Sequence, residues 1–177
     1  MAALNGNTLP DSVYVALDAR PKKDEYHWAI VVTNTHNAPD LYHASNLTGP
    51  WQFLTRAIRR SSDFSMALIV LVKVGTVVVE NKPDISSAIQ QVPADDEPSR
   101  RTGEAFSCRI WAKDALAHLA ASGSAVLEGD VDALEEMARR YAADYAARAE
   151  TGEGATIVNS PTIGARISGA TTASGDS

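Results

Sequence analysis

The amino-acid sequence predicts an α+β domain: an antiparallel sheet with packed helices. Three observations point there. Residues 12–57 carry short runs of β-branched and aromatic residues broken by polar turns, the pattern of strands and hairpins. Residues 108–149 carry apolar residues at helical spacing behind side chains suited to capping. The chain has 177 residues, 45% of them hydrophobic, which is enough for a single domain with a core that needs neither disulfide nor metal.

Residues 1–11 read as a flexible leader before a single domain over 12–160. Ser12 to Ala16 alternates Val, Tyr and Val and reads as a strand, and Arg20 to Asp24 as a polar turn. Tyr26 to Thr33 is a second strand. Asn34 to Asp40 holds turn residues, so a hairpin should join it to a third strand over Leu41 to Ser45. Gly49-Pro50 punctuates before a strand over Trp51 to Ala57. Met66 to Val79 is too long and too β-branched for one ordinary helix, and Gly75 marks a bend, a bulge or a change of strand. Ile85 to Val92 is a short helix started by Pro83-Asp84, and Pro93 to Gly103 is a charged loop.

Ser107 can cap a helix from Cys108 to Ala121 that ends at Gly123. Its apolar stripe is Cys108, Trp111, Ala112, Ala115 and Leu119. Asp130 or Asp132 caps the next, Val131 to Ala149, with the stripe Leu134, Met137, Ala138, Tyr141 and Tyr145. Glu135 and Glu136 lie early in it and Arg139, Arg140 and Arg148 later, as the helix dipole favours. Ala155 to Asn159 suggests a last strand. Residues 161–177, rich in Gly, Ser, Thr and Ala, read as a disordered tail.

The net charge of −6 argues against a nucleic-acid partner, since phosphate binding needs a basic surface. The basic clusters at Arg20 to Lys23, Arg59-Arg60 and Arg139-Arg140 read as solvated surface. No apolar run is long enough for an integral membrane segment, and the N-terminus lacks a signal-peptide pattern. One cysteine excludes an internal disulfide and suits a reducing, cytoplasmic setting. Phosphate-loop and Gly-x-Ser-x-Gly motifs are absent, so no cofactor is expected and serine hydrolase chemistry has no support.

The residues that can carry chemistry are Cys108, His27 and His43. Free amides at a helix N-terminus favour a thiolate, and the backbone N–H of Cys108 can meet an oxyanion. An imidazole that takes and returns the thiol proton completes the minimum set. His118 lies ten residues along the same helix, about 15 Å away, and His36 sits in a turn. His27 and His43 lie on paired strands and should share a face, so a helix packed on that face would bring Cys108 toward them. Each residue also has a structural alternative. A lone cysteine on a helical stripe serves as a small core residue, and strand histidines serve as hydrogen-bonded scaffold. A zinc site made of all three is a further alternative, without a local spacing motif in its favour.

Tyr26-His27-Trp28-Ala29-Ile30-Val31-Val32 resembles the His-Trp-Ala strand of the lecithin:retinol acyltransferase-like proteins, the permuted branch of the papain-like NlpC-type thiol enzymes. Leu41-Tyr42-His43-Ala44 is similar to their second histidine strand, and Phe106-Ser107-Cys108-Arg109-Ile110-Trp111 to the block in which the nucleophile opens a helix. That block lacks the Glu-His pair that typically follows the cysteine in the group. The resemblance implies a permuted papain-like fold, with Cys108 as nucleophile, His27 as general base and His43 orienting it. It also implies a small-molecule or peptide amide or ester as substrate, turned over by a hydrolase or an acyltransferase. A non-catalytic binding domain on the same fold is the alternative. The wider layout, including Leu71-Val72-Lys73-Val74-Gly75 and Cys108 to Leu116, resembles a family of uncharacterised, largely fungal proteins over most of residues 12–160.

Overall fold

A computed structural model describes residues 3–80 and 84–163. Its strands are β1 (Leu4–Asn5), β2 (Ser12–Ala19), β3 (Tyr26–Thr33), β4 (Pro39–Ser45), β5 (Gln52–Ala57), β6 (Leu68–Val77), β7 (Ala125–Leu127) and β8 (Ala155–Val158). The helices are α1 (Ile85–Gln90), α2 (Cys108–Ala121) and α3 (Val131–Glu150). All strands join one sheet in the order β1-β8-β6-β2-β3-β4-β5, with β7 also on β6.

The sheet is mixed, which corrects the expected antiparallel one. β2 through β6 and β7 pair antiparallel, but β8 runs parallel to both β6 and β1. The physical reason is α3: a long helix carries the chain back across the sheet, so the next strand enters beside β6 in the same direction. The leader expectation is corrected too. Leu4 and Asn5 pair with Ala155 and Thr156, and the Leu9 amide donates to the Tyr14 hydroxyl at 2.8 Å. The expected tail lies outside the described residues from 164 onward.

The central strands are apolar on both sides because both faces are covered. One face presents Val13, Val15, Leu17, Trp28, Ile30, Val32, Tyr42 and Ala44 to the three helices. The other presents Tyr14, Ala16, Ala29, Val31 and Leu41 to Ile58 and Phe64, from the connection between β5 and β6. β6 is one strand with a register shift where Val13 and Tyr14 face Gly75 and Lys73, so of the bend, bulge or change of strand expected at Gly75 the structure has a bulge. The glycine itself is required by β7: a Cβ there would lie 2.7 Å from the Val126 carbonyl oxygen.

The capping residues act as the sequence suggests. The Ser107 hydroxyl accepts from the Ile110 amide at 3.2 Å and starts α2. Asp130, not Asp132, caps α3, accepting from the amides of Asp132 and Ala133. Asp84 accepts from Ser86 and starts α1. α2 packs on β3 and β4 through Trp111, Ala112, Ala115 and Leu119, all buried. Burial of each large member stabilises by roughly 1.5–3 kcal/mol. α2 and α3 are tied by Glu135, which accepts from Arg109 Nη1 at 2.7 Å and Lys113 Nζ at 2.5 Å. Among the described residues no helix is long and apolar enough to cross a membrane.

Candidate functional site

The two strand histidines meet. His27 Nε2 lies 2.7 Å from His43 Nδ1, with the rings edge to face at 82°. Register explains how. The β3–β4 ladder runs only from Ile30–Tyr42 to Thr33–Pro39, so beyond it the strands part and His27 can reach His43 diagonally. His27 also faces Asp18 across β2, a carboxyl raised above its usual range by burial, against the opposing pull of Ser65 and Arg56.

Both histidines alternate with Trp28 and Tyr42, and so belong to the face of Ala29, Val31 and Leu41. They share one face, but it is not the face α2 covers. The expectation that a helix packed on the histidine face would bring Cys108 to them is therefore corrected. Cys108 opens α2 on the other side, and the two groups are linked around the parted strands by a residue the sequence reading treated as surface. Arg20, just past the end of β2, places Nη2 3.2 Å from His27 Nδ1 and 3.7 Å from Cys108 Sγ. The sum of those two lengths is the upper limit on the sulfur–nitrogen separation.

This contact fixes the proton positions. Arginine has donors only, so His27 Nδ1 must offer its lone pair to Arg20. The ring proton then sits on Nε2 and is donated to His43 Nδ1. Both rings are neutral. Burial first, then the repulsion that a protonated His43 and Arg20 would exert, push the His27 imidazolium down to about 4. Burial, with Arg56 as a second cause, also lowers His43. A shared zinc ion would hold two ligating nitrogens about 3.3 Å apart, so the 2.7 Å separation is that of a hydrogen bond.

Cys108 is 5% exposed and packs into the helix-side core. The first-turn amides of α2 have no partner further back in the helix, apart from the one Ser107 takes. His36 is exposed in the turn between β3 and β4. His118 lies in the last turn of α2 with Nε2 buried and unpaired among the described residues. A groove beside the cluster is lined by Arg20, Pro21, Lys22, Tyr26 and the alanine face of α3.

No curated protein and no solved structure matches the chain. The family model described as a family of unknown function, DUF6914, matches residues 11–162. That span holds every element from β2 to β8 and all of the Arg20, His27, His43 and Cys108 cluster, and the chain belongs to this family.

Proposed function

We propose that the chain is a thiol hydrolase or acyltransferase of permuted papain-like, NlpC-type architecture, acting on an amide or ester through an acyl-thioester on Cys108. The observation that carries this reading is the engagement of His27 at both ring nitrogens. Nε2 is fixed by His43, and Nδ1 shares the Arg20 guanidinium with the Cys108 sulfur.

In this reading the Cys108 thiol gives its proton to His27 Nδ1 and the sulfur attacks the substrate carbonyl carbon. The backbone N–H of Cys108 meets the developing oxyanion. The C–N or C–O bond breaks as His27 returns the proton to the leaving group. Water or another acceptor, deprotonated by His27, then releases the acyl group. His43 accepts from Nε2–H throughout, holding the tautomer and supporting the imidazolium that forms. A free catalytic thiol suits a reducing, cytoplasmic setting.

The test uses p-nitrophenyl acetate as acyl donor, with intact-mass detection. The wild type should acquire an acetyl group that Cys108→Ala never does. His27→Ala should acquire it on the order of a hundredfold more slowly or less. Equal acetylation of wild type and His27→Ala would remove the reading. A second reading, a binding domain without turnover, is favoured by the 5% exposure of Cys108 and the guanidinium between thiol and imidazole. It predicts no acetyl-enzyme at all.

A further inference from the structure

Arg20 is the member of the cluster that thiol chemistry leaves without a task, and its surroundings are unusual. Its guanidinium sits at the reactive centre on two weak acceptors, a neutral imidazole nitrogen at 3.2 Å and a sulfur at 3.7 Å. Among the described residues no carboxylate forms an ion pair with it. Glu25, the acid that feels its charge, is bonded to Lys22 at 2.5 Å. The side chain is exposed and borders the groove between the β2–β3 hairpin and α3, so it has open space to move into. Where it now lies it does two things. It occupies the Nδ1 lone pair that would take the thiol proton, and it covers a sulfur that is otherwise enclosed by the core.

We propose that Arg20 makes this site selective for acyl substrates carrying a carboxylate near the reacting carbonyl, and that binding the carboxylate draws the guanidinium off His27 and hands that ring to Cys108. The proposal rests on the thiol reading above. A carboxylate takes a guanidinium through two parallel charge-assisted bonds, stronger than the bonds to a neutral ring nitrogen and a sulfur that it replaces. The exchange therefore favours leaving His27. Once Nδ1 is free it accepts the Cys108 proton, and the sulfur is uncovered on the side where the carboxylate holds the substrate. A neutral substrate offers nothing to compete for Arg20, so it reacts more slowly, from the small fraction of molecules in which the guanidinium has left His27 unaided.

Alkylation separates this selectivity from the thiol reading itself. Iodoacetate and iodoacetamide differ in the carboxylate and react alike. The sulfur–carbon bond forms, the carbon–iodine bond breaks, iodide leaves, and the thiol proton passes to His27. Each rate on Cys108 is normalised to that of free cysteine at the same pH and salt. Circular dichroism confirms that the variants are folded. The wild type should favour iodoacetate over iodoacetamide by about tenfold or more, the worth of one charge-assisted bond. The preference should fall with added salt and vanish in Arg20→Gln. Arg20→Lys should recover part of it, since a lysine keeps the charge without the paired donors. Iodoacetamide should react faster with Arg20→Gln than with the wild type, because Nδ1 is no longer occupied. Equal preference in wild type and Arg20→Gln, with Cys108 reactive in both, overturns anion selection and leaves the thiol reading standing. Inertness of Cys108 to both reagents in both proteins overturns the thiol reading and this proposal with it.

Discussion

Acidification from pH 7 to pH 5 tests the proton chain from Arg20 through His27 to His43. Folding takes the His27 imidazolium from 6.5 down to about 4. The folded ring therefore stays neutral at pH 5, while the unfolded ring takes up a proton. Stability is fully present above the unfolded value and is lost as pH falls toward 4. Linkage over this interval gives at most about 2 kcal/mol, and the ring is only partly buried, so solvent screening brings the expected loss to about 1 kcal/mol. The lowered His43 acts in the same direction, and the raised Asp18 in the opposite one. The carboxyl of Glu135, held low by Lys113 and Arg109 against the cost of its burial, contributes mainly at lower pH. Urea unfolding of wild type and His27→Gln at both pH values isolates the ring. The wild-type midpoint should fall by about 0.5 M more than that of the variant, taking a slope of about 2 kcal/mol/M. Identical pH dependence in the two proteins would refute the neutral, doubly hydrogen-bonded His27.

Two further substitutions probe the frame around the site. Gly75→Ala places a Cβ 2.7 Å from the Val126 carbonyl and 3.1 Å from Leu127 Cδ2. It should cost about 1–3 kcal/mol in urea unfolding, and hydrogen exchange should speed at the Glu128 amide that bonds Val74. A change under 0.5 kcal/mol would refute the close approach. Glu135→Ala leaves Lys113, which is 5% exposed, with the exposed Asp132 as its one acidic partner among the described residues, and deprives Arg109 of its 2.7 Å bond. The expected loss in thermal or urea unfolding is about 2–3 kcal/mol. A neutral result would mean that the α2–α3 contact is held by its apolar residues alone.

Elements whose pattern is local were readable in the sequence. α2 announces itself by Ser107 and its stripe, and β3 by an unbroken apolar run. β1 and β7 are two and three residues long, too short to alternate, and exist only because β8 and β6 offer them edges. The direction of β8 is set by the passage of α3, which no residue within β8 records. The meeting of His27 and His43 follows from the hairpin between two recognisable strands. Their face relative to α2 does not, because both faces of these strands are apolar and alternation marks neither as the helix side. Arg20 was missed for a related reason. An exposed arginine in a Pro-Lys-Lys turn looks like any solvated cation, and its bonds to residues 27 and 108 arise only from tertiary approach.

The parallel seating of β8 has a consequence during synthesis. β6, almost wholly apolar, gains that neighbour only after residues 78–154 have been made. On the ribosome, at roughly 5–20 residues per second, the interval is on the order of 4–15 s. Throughout it the Val70 to Val72 stretch of the flank that β8 will cover, which β7 does not reach, presents unpaired backbone and hydrocarbon to the cell, the kind of surface on which nascent chains aggregate or recruit chaperones. A strand that ends up largely buried is thus vulnerable before release, and substitutions that weaken β8 should lower the yield of folded protein more than they lower the stability of what does fold.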